Sequence, residues 1–177
     1  MDLEALKYPI GHFKLPETVT DRQRIGFIND IRHLPTLVEI AVQHMDEYQL
    51  QTPYRPGGWT VAQVVHHLVD SHMNAVTRFK LALTEDNPVI KPYGEAAWAE
   101  LPDVTSTPIN VSVTLLHALH TRWANLLEAL SDEQLARTFV HPANQYTYKL
   151  RESLANYAWH GKHHLAHIVN LKESKGW

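Results

Sequence analysis

Apolar residues recur at three- and four-residue intervals along four long stretches of this chain, and that helical period constrains its fold more than any other feature. Ile28, Ile31, Leu34, Val38, Ala41 and Met45 mark the first stripe. Thr20, with Gln23 three positions on, opens it as a capping box, in which each side chain satisfies a backbone N–H of the other residue. Pro35 falls inside the stripe, so the segment is either kinked or two abutting helices. The stretch from Gln51 to Trp59 breaks regular structure with its Pro and Gly residues, and Thr60 with Gln63 opens the second helix by the same box. Val61, Val64, Val65, Leu68, Ala75 and Phe79 carry that helix to Leu83 or Thr84. A third stripe, built on Leu116, Leu119, Trp123, Leu126 and Leu127, spans Val111 to Leu130, and a fourth runs from Arg151 to Leu171.

Four amphipathic helices bury their apolar faces most simply against one another, so the expected fold is all-α, a four-helix bundle in one domain over residues 1–177. Residues 1–19, with Pro9, Gly11 and Pro16, read as an irregular arm. The crossover from Glu85 to Ile109 is too long to lack structure in a compact domain, and a short helix is expected near Glu95 to Leu101. Asn144-Gln145 between "TFVH" and "YTYK" suggests a small hairpin.

Sixteen Lys plus Arg against nineteen Asp plus Glu leave a net charge of −3, which offers no basic field for nucleic acid. The chain has no cysteine, so disulfides, thiolate metal sites and cysteine nucleophiles are excluded together, and any metal is held by nitrogen and oxygen. No apolar run is long enough to span a membrane, and the first sixteen residues lack a signal-like core. A cytoplasmic protein that binds neither nucleic acid nor membrane is expected. Glycine-rich phosphate cradles, a GxSxG elbow and the glutamates of a di-iron bundle are all missing from the sequence.

The distinctive excess is histidine, thirteen in all, four of them in "HGKHHLAH". With 100° per residue measured from Leu154, His164 lies at about −80°, His160 at about −120° and His167 at about −140°, while His163 at about 180° points away from the core. His160 and His164 thus project side by side, the spacing by which two imidazoles on one helix share a metal. On the second helix, measured from Val61, His67 falls at about −120° and His72 at about +20°. His67 occupies the same kind of inner shoulder as His160. If the two helices pack face to shoulder, His67, His160 and His164 form a three-nitrogen set with an open position, the arrangement of catalytic zinc. His72 reads as a hydrogen-bonded interior histidine and is a rival third ligand. His120 reads as a residue behind the site or as plain core, and His12, His33, His44, His66, His117, His141 and His163 as surface or junction residues. Trp59 and Trp159 read as packing groups. Arg78, in the inner polar strip, is a candidate for holding an anionic group, and Glu95 comes over the site if the crossover folds back.

The segments "YRPGGWTVAQVVHHLVDSHMN", "IKPYGEAAW", "LLHALHTRW" and "YAWHGKHHLAHI" resemble the DinB/YfiT-like superfamily, and within it the YfiT-type metal-dependent hydrolases. The resemblance implies a four-helix bundle carrying one divalent metal per subunit, zinc or nickel. It places the ligands at His67, His160 and His164, and it implies a cytoplasmic homodimer acting on a small-molecule substrate. The chemistry it implies is hydrolysis by metal-activated water. Related branches look like thiol S-transferases of the bacillithiol or glutathione kind, so S-transfer is the alternative enzyme reading. A metal-binding stress protein without catalysis is the alternative outside enzymology.

Overall fold

The computed structural model describes residues 2–177. In chain order it contains α1 (Leu3–Lys7), α2 (Asp21–Val42), α3 (Glu47–Leu50), α4 (Val61–Thr84), α5 (Glu95–Trp98), α6 (Pro102–Ser106), α7 (Ile109–Ala129) and α8 (Asp132–Leu135). Strands β1 (Thr138–His141) and β2 (Tyr146–Lys149) follow, and then α9 (Leu150–Lys175). The long helices α2, α4, α7 and α9 make the bundle. Both α2 and α4 pack against α7 and α9, so the consecutive helices α2 and α4 sit diagonally.

The helix starts are set by side chains. Thr20 with Gln23 and Thr60 with Gln63 each form the reciprocal box expected of them, and Ser131 with Gln134 at α8 and Asp46 with Gln49 at α3 form the same box. Pro35 lies inside a single α2 that continues through it. The arm expected to be irregular carries the turn α1, capped by Asp2, whose side chain accepts from the Glu4 N–H at 3.2 Å. The crossover holds the expected short helix as α5 and a second one, α6, which begins at Pro102, where a missing N–H costs nothing. The hairpin pairs Thr138 with Lys149 through His141 with Tyr146. It is tied to the start of the crossover, since the Ile90 N–H donates to the Val140 carbonyl at 3.0 Å and the Val140 N–H to that of Pro88 at 2.9 Å.

Buried apolar residues form two clusters along the bundle. One gathers Phe79, Trp123, Leu127, Leu150 and Leu154. The other gathers Val38, Val64, Leu68, Leu116 and Ile168. Between the two stretches of α4, α7 and α9 that supply these clusters lie His72, His120 and the pair His160 and His164. A layer of imidazole therefore divides the core. At this level α9 comes close to α2: a β-carbon on Gly161 would stand 2.5 Å from Leu34 Cδ2.

Candidate metal centre

His67 is presented by α4 and His160 and His164 by α9, and one ring nitrogen from each lies within 4.8 Å of the other two. His67 Nε2 and His160 Nε2 are 3.3 Å apart. That is the separation of about 3.3 Å that two nitrogens adopt when both sit about 2.0–2.1 Å from one tetrahedral ion. The donors are all imidazole nitrogen, a set that suits a divalent transition metal such as zinc, copper, iron or nickel. Burial lowers the His67 pKa to about 4. It also holds His160 and His164 well below the usual value, with further depression from neighbouring imidazoles. All three are therefore neutral at pH 7, the form in which histidine ligates. The indole of Trp59 packs 4.6 Å from the His67 ring and stacks at 6.3 Å on that of His164, closing one side of the cluster.

His72 stands behind His160 rather than beside it. Its Nε2 faces the Nδ1 of His160 at 3.1 Å, and its own Nδ1 lies 2.7 Å from His120 Nε2. It is an interior histidine, and His120 packs behind it.

Two histidines read as surface or junction residues are buried. His66 meets the Ser112 hydroxyl at 2.8 Å. His163, expected to point away from the core, is covered by a neighbour on its own helix and by the arm, and helical angles do not reveal the arm. The Trp159 ring stacks on it at 4.5 Å, and Tyr8 of the arm lies 5.8 Å away. The arm also takes a hydrogen bond from His167 Nε2 to the Lys7 carbonyl at 3.1 Å, while Tyr54 stacks on His167 at 3.9 Å. His163, His164 and His167 form a second group of close imidazoles, and their Nδ1 atoms are buried without a hydrogen-bond partner among the described residues.

A polar cavity of about 170 Å³ reaches His160 from the other side, lined by Ser71, Arg78, Glu95, His141 and Tyr157 among others. Both side chains singled out beyond the histidines thus converge here. Arg78 Nη1 donates to the Tyr157 hydroxyl at 3.1 Å, and its Nε is buried without a partner among the described residues. Glu95, exposed at the mouth, has its carboxyl raised by the desolvation that remains, against the pull of Arg78. Tyr157 and His141 were not anticipated. Tyr157 lies on the inner face of α9, three residues before His160, a spacing that was legible. His141 arrives only because the hairpin is pinned to the crossover.

A family model described as the DinB superfamily matches residues 10–168. The chain is 51% identical, over 99% of its length and all of the relative's, to a protein of Bacillus mycoides (strain KBAB4) named "Putative metal-dependent hydrolase". It is 52% identical over the same shares to one of the same name from Bacillus thuringiensis subsp. konkukian (strain 97-27). Among solved structures it is similar to YfiT from Bacillus subtilis, described as a probable metal-dependent hydrolase with an unusual four-helix bundle topology. The TM-score is 0.95 and the identity 47%, covering 98% of this chain and 99% of that one.

Proposed function

The chain belongs to the DinB superfamily, and from that premise we propose that it is a metal-dependent hydrolase whose His67, His160 and His164 hold one divalent ion, zinc or nickel. The observation that carries the reading is the all-imidazole donor set on two neighbouring helices, with two Nε2 atoms at the spacing of ligands on one ion. When bound, the ion supplies Lewis-acid chemistry, acidifying water and polarising a carbonyl oxygen. The histidines, kept neutral by burial, are ready to ligate without first losing a positive charge. Trp59 shields one side of the cluster from solvent. Arg78, fixed by Tyr157, orients an anionic or carbonyl group of a small-molecule substrate in the cavity beside His160. Glu95, with its raised carboxyl at the mouth, exchanges a proton with the attacking or leaving group. The reading extends to a cytoplasmic homodimer, carried over from the resemblance.

Elemental analysis of protein purified without added metal tests the first step, with about one ion per chain expected. A panel of simple esters and amides, assayed beside a low-molecular-weight thiol with an electrophile, tests the second. Metal-dependent hydrolysis that His160→Ala abolishes together with the ion is the expected result. Conjugation of the thiol without hydrolysis replaces the hydrolase by an S-transferase.

A further inference from the structure

The imidazole layer continues beyond the metal centre as an unbroken run of hydrogen bonds that ends on backbone. Proline has no N–H, so Pro35 cannot donate to the carbonyl four residues back in α2, which belongs to Ile31. That carbonyl is buried, and it lies 2.5 Å from His120 Nδ1. A carbonyl oxygen only accepts, so His120 carries its proton on Nδ1 and its Nε2 is an acceptor. The next contact, 2.7 Å to His72 Nδ1, is then donated by His72, whose Nε2 becomes an acceptor in turn. The last, 3.1 Å between His72 Nε2 and His160 Nδ1, is donated by His160. Each step follows from the one before, because a neutral imidazole has one N–H and one lone pair.

We propose that Pro35, Ile31, His120 and His72 form a relay that fixes His160 as its Nδ1–H tautomer and so keeps the Nε2 lone pair on the metal centre. His72 and His120 are positioning residues. The proposal rests on the reading of His160 as a ligand, and it assigns a function to a proline in the middle of a bundle helix. Ligating histidines generally donate their second ring N–H to a carbonyl or carboxylate that fixes the ring. Here two further imidazoles carry that constraint from α9 through α4 and α7 to α2, so all four bundle helices meet in one ligand's orientation. Neutrality of the run is consistent with its burial, which lowers the His120 pKa to about 4 and that of His72 well below the usual value.

Long-range proton–nitrogen NMR correlations on the full chain, recorded with zinc and after chelation, read the tautomers directly. Nδ1–H on His120, His72 and His160 in both states is expected. Nε2–H on His160 in the metal-free protein overturns the relay, whether or not zinc binds. Failure to bind zinc with all three Nδ1–H tautomers intact overturns the metal reading and leaves the relay standing. By chelator competition, His72→Phe should weaken zinc binding about ten- to a hundred-fold. His72→Gln, whose amide both accepts from His160 and donates to His120, should restore most of it. Pro35→Ala returns an N–H that competes for the Ile31 carbonyl, and it should lower zinc affinity while α2 stays helical. Equal zinc affinity in His72→Phe and the unsubstituted protein contradicts the relay. Should His72→Phe fail to fold, the tautomer spectra decide alone.

Discussion

At the scale of single residues, the centre depends on how closely α9 approaches α2, and Gly161 sets that distance between two of the histidines. Alanine there gains about 1 kcal/mol of helix propensity. Its β-carbon, however, meets Leu34 Cδ2 at 2.5 Å and two further Leu34 atoms within 3.4 Å, in a side chain with 2% exposure and little room to turn. Overpacking of this kind costs about 1–3 kcal/mol, so Gly161→Ala should lower stability by about 1 kcal/mol net. In urea titrations the double variant with Leu34→Ala should be more stable than the sum of the singles predicts, since the second change removes the clash. Additive effects would show that the glycine is there for another reason. The convergence of His67, His160 and His164 was legible in the sequence because each is placed by a helical period, and angles at constant pitch survive folding. The burial of His163 and His66 was not, because it depends on Tyr8 and Ser112, which no periodicity relates to them. The partners of the hydrogen bonds expected of His72 were hidden for the same reason: they lie on helices whose relative height along the bundle is not written in either stripe.

At the scale of elements, the cap of α4 does two jobs. The Gln63 Oε1 accepts from the Thr60 N–H at 2.9 Å, and its Nε2 donates to the Ala99 carbonyl at 3.0 Å, tying the crossover to the helix that presents His67. Thr60→Ala should cost about 1 kcal/mol, as loss of an N-cap does. Gln63→Ala should cost more and should loosen the crossover, seen as faster amide exchange at α5 in deuterium labelling. Equal losses with unchanged exchange would show that the tie to Ala99 contributes nothing. The boxes at Thr20 and Thr60 could be read because that signal is local. The turn α1 and the helix α6 could not, since five residues carry too little period to stand out. Pro35 left two outcomes open in the sequence, and packing of both flanks of α2 against α7 and α9 keeps the helix whole.

For the molecule as a whole, the buried histidines make stability depend on pH in one direction. His67, His120, His163 and His167 are each lowered to about 4 from 6.5, chiefly by desolvation. Between those values the unfolded chain binds more protons than the folded one, so stability is complete above pH 6.5 and falls as the pH drops towards 4. Asp70, raised to about 6 by burial and by Asp103, and Glu95, raised by burial, work the opposite way, but His66, His72, His141, His160 and His164 are lowered along with those four and keep the histidines in the majority. Melts of chelator-treated protein from pH 7.5 to 4.5 should show the decline, and a flat profile would mean that the imidazoles are solvated. Sedimentation across a concentration series should find a dimer, and a monomer at micromolar concentration removes that extension of the proposed function while leaving the centre untouched. The four-helix class was readable from the stripes, whereas the diagonal seating of α2 and α4 was not, because amphipathic faces do not name their neighbours. That seating bears on how the protein is made. Helices α2 and α4 both meet α7, so three helices can associate before α9 leaves the ribosome, yet a chain halted before residue 160 holds one imidazole of the three. With the proposed ligand set, bound metal measured against total protein would therefore count the molecules whose synthesis has passed α9.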